Sequence, residues 1–196
     1  DAGADINAVN DEGFSALLAA ASNGYLEVVN YLTTRGAKSE TLQLQNNLIS
    51  PENLFGSSRE EVDLQVDSKE TNISEPFYEL ISAAIEGRLS VVNQLLAKGA
   101  QVNKSDDVGR TALMEASSFG RYGVVKRLLE AGAEVNVADN QKMTALMLAT
   151  LEGRVSVAKL LIEWKADVNA SDAEGITSLM LAGNEGRTEI ARMLIE

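Results

Sequence analysis

The chain contains no cysteine and no histidine. These two absences exclude disulfides, zinc held by thiolate or imidazole, a Cys or Ser–His nucleophile and an imidazole base. Any catalysis would fall to carboxylates, Lys, Tyr or Ser. No glycine-rich phosphate loop, metal-ligand cluster or nucleophile motif is present, so the expectation is no enzyme and no cofactor. No apolar run approaches the length of a membrane span, and nothing reads as a signal peptide. A cysteine-free chain suits a reducing compartment but fits others as well, so it decides little; the expected location is intracellular and cytoplasmic.

What remains is a globular composition: 45% hydrophobic and 23% charged over 196 residues, too apolar for disorder and long enough for a buried core. The net charge of −12 is uneven. Residues 1–74 hold twelve acids and four bases, or −8 of it. Such a chain is a poor candidate for nucleic acid or anionic lipid.

Self-similarity dominates what is present. Gly87, Gly120, Gly153 and Gly186 stand 33 residues apart, and each is followed by Arg: Arg88, Arg121, Arg154 and Arg187. An apolar segment precedes each glycine, as in TALMEASSF and TALMLATLE; a second follows, as in YGVVKRLLEAGAEVN. A further copy runs from Ser15 to Ser39, and residues 3–7, GADIN, are the tail of a copy before it. Leu113, Met114 and Ser117 share one face of a short helix capped by Thr111 and stopped at Gly120. Val124, Val125, Leu128 and Leu129 form the apolar face of a second helix, stopped at Gly132. Two such short helices cannot bury their faces alone, so copies must stack. The polar stretches between them, such as EVNVADNQK, suit tight turns.

The period, the G-x-T-A-L-M-x-A segment and the V-V-x-x-L-L-x-x-G-A-x-V-N segment resemble the ankyrin repeat. The resemblance covers residues 1–40 and 75–196. It implies an all-α solenoid of stacked helix pairs with short β-hairpin loops, whose tips and first helices form a concave face for protein recognition. It also implies that Asn103, Asn136 and Asn169 bond within the hairpin loops. The family's Thr-Pro-Leu-His becomes Thr144-Ala145-Leu146-Met147 and its equivalents here, so apolar packing replaces the histidine's hydrogen bonds. Lys142 and Lys165 sit where other copies carry Gly13, Gly109 and Gly175, or Gly36, Gly99 and Gly132. If those positions need positive φ, each Lys costs about 1 kcal/mol.

The expected organisation is a partial repeat plus one repeat over 1–40, an insertion or degenerate repeat over 41–74, and four repeats over 75–196. Asp1 falls inside a partial copy, so the chain is expected to be a piece of a longer protein. The last copy lacks a polar cap, so either more chain follows or its helices fray.

The leading function is a scaffold that binds a protein partner along the concave face between 106 and 186, acting as a monomer on its own. The residues expected at the contact are Asp107, Val108, Arg110, Phe119, Asn140, Gln141, Met143, Leu151, Trp164, Glu174 and Ile176. They are residues at the hairpin tips, just after the hairpin glycine slot or just before the mid-repeat glycine, plus the single tryptophan. The alternatives are a targeting module of a larger enzyme, effector or channel, and a structural subunit of a permanent assembly. The Arg ladder has two readings: an anionic partner, or capping of helix ends with pairing to Glu86, Glu152 and Glu185.

Overall fold

The computed structural model describes residues 2–38 and 76–196. The expected boundaries of the 41–74 segment lie outside them. Ten helices form five antiparallel pairs among the described residues: α1 (Ala16–Ser22) with α2 (Leu26–Thr34), α3 (Pro76–Glu86) with α4 (Leu89–Ala97), α5 (Ala112–Ser118) with α6 (Tyr122–Glu130), α7 (Ala145–Leu151) with α8 (Val155–Glu163), and α9 (Ser178–Asn184) with α10 (Thr188–Ile195).

Local chemistry sets the helix bounds. The hydroxyls of Ser15, Thr111, Thr144 and Thr177 accept from the backbone N–H three residues on, at 3.2–3.4 Å, and start α1, α5, α7 and α9. Lys142 and Lys165 do adopt the left-handed conformation, with φ 61° and 66°, so the chain carries the strain read from its glycine pattern. The hairpins between copies are reduced to single antiparallel bridges: Val9–Ser15, Ser105–Thr111, Ala138–Thr144 and Ser171–Thr177.

Helices of seven to nine residues are marginal alone, so their stability is in the stacking. Leu113, Met114, Leu128, Leu146, Met147, Leu161, Leu179 and Leu194 are fully buried along one continuous core. Met114, Met147 and Met180 fill the histidine slot and are buried, and the Met147 sulfur also accepts from the Thr144 N–H at 3.4 Å.

The order of stacking departs from chain order. Pairs follow one another from α3/α4 to α9/α10, and α1/α2 then packs on α9/α10 rather than ahead of α3. Residues 3–7 occupy the tail position of the last copy: Ala4 N–H donates to the Leu194 carbonyl at 3.0 Å, as Ala133 does to Leu128. The last helix pair is therefore covered.

Candidate functional site

The hairpin tips owe their shape to one recurring side chain. Asp106, Asp139 and Asp172 each accept, through one carboxylate oxygen, the N–H groups two and four residues on at 2.8–3.1 Å. Asn10 does the same in the first copy. These Asx turns fix each tip without a long strand. Neighbouring tips are tied by backbone: Asn140 N–H to the Val108 carbonyl at 3.1 Å, and Ala173 N–H to the Gln141 carbonyl at 3.0 Å.

Between the second and third tips lies a groove of about 460 Å³ lined by Val108, Arg110, Glu115, Asp139, Asn140 and Gln141. Arg110 crosses its floor. Its Nε donates to Asp139 at 2.9 Å and an Nη to Glu115 at 3.3 Å. One guanidinium thus serves two carboxylates, and the Asp139 side chain is 3% exposed. Burial raises the Glu115 carboxyl above the usual range, and the charge of Arg110 opposes that rise. Burial likewise raises Asp172, against the two N–H groups it accepts. The groove holds the Arg110–Asp139–Glu115 charges and is apolar at one lip, where Val108 is 58% exposed.

Of the expected contact residues, Val108, Arg110, Asn140 and Gln141 meet in this groove. Asp107 adjoins it, its carbonyl accepting from the Asn140 side chain at 3.2 Å. Glu174 stands exposed on the next tip. Phe119 and Trp164 are exposed apolar groups as expected, yet they cap α5 and α8 and do not line the groove. Ile176 is a correction: it is buried, at 8% exposure, as are Phe14 and Phe77 in the same register. Met143 and Leu151 are half-buried against the core. Glu115 and Asp139 escaped the sequence reading. The 33-residue recurrence of Asp106, Asp139 and Asp172 was visible; the single Glu in a row otherwise held by Ala19, Ser82, Leu148 and Leu181 was visible too.

Three arginines of the ladder tie neighbouring copies together. The Nε groups of Arg121 and Arg154 donate to the Ile85 and Ser118 carbonyls of the preceding copy at 2.8 and 2.9 Å, and Arg187 reaches Leu151 at 3.0 Å. Arg88 pairs with Glu86 at 2.7 Å. The asparagine side chains bond across copies. Asn103 accepts from Glu134 N–H and donates to the Gly132 carbonyl; Asn136 does the same with Asp167 and Lys165.

Family models for ankyrin repeats match residues 58–139, 80–172 and 135–196, in a model of three copies, and residues 1–33, in a model of many copies. The chain belongs to the ankyrin-repeat family. Ankyrin repeats are generally protein–protein interaction modules and are typically not enzymes. No curated protein matches the chain. Among the described residues, no helix is long and apolar enough to cross a membrane, and no group of acidic side chains is arranged to hold a metal ion.

Proposed function

We propose that the chain is an intracellular, cytoplasmic scaffold that grips a protein partner along the hairpin tips and first helices between residues 106 and 186, centred on the Arg110 groove. The groove itself carries this reading. It joins an exposed apolar lip at Val108 to the amide side chains of Asn140 and Gln141 over a fixed ion pair, the mixture that specific interfaces use. Its walls are tied by backbone bonds between copies, so little entropy is lost when a partner orders against it.

A second groove, of about 660 Å³, is lined by the second helices through Tyr122, Lys159, Glu163 and Met193. It favours a rival reading in which the partner binds the other set of helices. Capture of a partner by immobilised chain, followed by substitution, separates the two. The proposal expects Val108→Asp with Asn140→Ala to abolish capture and Tyr122→Ala with Met193→Ala to leave it intact. The reverse pattern would move the partner to the second helices.

A further inference from the structure

The joint between residues 2–38 and the α9/α10 pair is built from parts whose partners lie more than 160 residues apart. Asp5 N–H donates to the Asn169 side chain at 2.7 Å, and the Asn169 amide donates to the Gly3 carbonyl at 3.1 Å. The next rung, Lys38 N–H to Asn7 at 2.9 Å, continues the ladder. These are the bonds that Asn103 and Asn136 make inside the array. Gly183 lets the first helices approach so closely that a Cβ there would lie 2.5 Å from the Ala16 carbonyl oxygen. The second helices meet through opposite charges: Arg35 of the N-terminal unit on Glu196, and Arg192 of α10 facing Glu27 at 4.0 Å. Arg35 and Arg192 both lie over the Tyr31 ring.

We propose that this joint is exchangeable: the 2–38 unit of one copy docks on α9/α10 of a second copy of this chain, giving head-to-tail assemblies. Nothing in the bonds depends on the two faces belonging to one molecule. The two faces are different surfaces of the chain, which makes the contact heterologous. Head-to-tail growth follows from that geometry, as an open chain or a closed ring. The occupant is a second copy because the docked surface is already this chain's own sequence, with its charges matched. Within one molecule, residues 39–75 supply the connection. Fully extended they reach over about 120 Å, against roughly 40 Å for four helix-pair spacings of the stack. Closure within one copy is therefore open to the chain and competes with docking between copies. Closed monomers dominate in dilute solution and exchange gains as the chain concentration rises.

Two full-length variants test it. Gly183→Leu blocks the α9 face, since the three heavy atoms nearest a Cβ there all belong to Ala16. Ala16→Arg blocks the α1 face. Each has one intact face, so the mixture is expected to form a heterodimer of twice the monomer mass by light scattering, while each variant alone stays monomeric. The milder Gly183→Ala, which adds helix propensity to α9, guards against misfolding, and circular dichroism checks the remaining helices. A mixture that stays monomeric as the chain concentration rises would overturn the proposal. Equal association by each variant alone would also overturn it, because assembly would then use another surface. Wild-type chain that stays closed while the mixture dimerises supports it.

Discussion

Two kinds of contact between copies exist in this molecule, and they differ in what chain connects them. Inside the α3–α10 array, each helix pair leads to the next through a hairpin of the same strand of sequence. At the α9/α10 joint with α1/α2, the neighbours are the two ends of the chain. The asparagine bonds are the same in both places. The arginine slot is not: Arg121, Arg154 and Arg187 lie over Gly87, Gly120 and Gly153, whereas Tyr25 lies over Gly186. At the joint, Asn23 also meets Asn184 at 3.0 Å. The difference teaches that the ladder is portable from copy to copy, while the stability of each rung depends on the loop that must be closed to form it. The joint should therefore open first.

The largest test of that contrast is a cavity in the interior. Met147 is fully buried in α7, and Met147→Ala is expected to cost about 2–5 kcal/mol and to lower the main unfolding transition in urea. The undocking of residues 2–38, followed by hydrogen exchange of α1 and α2, should move less. A smaller and sharper test compares matched side chains. Asn136→Ala and Asn169→Ala each remove the same pair of bonds, worth about 1–2 kcal/mol. Asn136→Ala should shift the main transition. Asn169→Ala should speed exchange in α1 and α2 alone.

Relief of backbone strain comes next. Lys165→Gly is expected to stabilise the α7–α10 region by about 1 kcal/mol, read as a raised urea midpoint, because φ 66° costs glycine nothing. The smallest effect is a pH slope inside the array. Glu115 has its carboxyl raised by burial, so the folded chain takes up that proton at a higher pH than the unfolded chain does. Its contribution to stability is then least favourable at neutral pH and improves as pH falls through the folded value. Glu115→Gln should remove that gain, seen as a flatter urea midpoint between neutral and mildly acidic pH.

Much of this was legible in the sequence. The 33-residue period, the Ser/Thr caps and the glycine slots gave the helix pairs, and the lysines at 142 and 165 marked strained turns that are strained. The stacking order was not legible, for a physical reason. Every copy presents nearly the same upper and lower faces, so periodicity says that copies stack and not which copy lies on which. GADIN was readable as the tail of a copy, but only the bonds of Asn169 and Leu194 show that it completes α9/α10. The candidate site divides in the same way. Tip residues such as Asn140 and Gln141 are exposed wherever a hairpin turns. The position after the hairpin glycine slot is not uniform: Arg110 lines a groove, whereas Ile176, like Phe14, is buried.

The central claim is that residues 2–38 stack on α9/α10. Because the chain lacks cysteine, one introduced at Glu12 carries a nitroxide at a single place. Backbone amide signals in dilute solution then report what lies beside it. With Asp11 N–H facing the Glu174 carbonyl at 3.5 Å, the account predicts strong broadening of Ala173, Glu174 and Gly175 and sharp signals from Gln101 to Lys104. Sharp signals from 173–175 with broadening in α3 and α4 would contradict it, placing the first copy ahead of α3 in chain order.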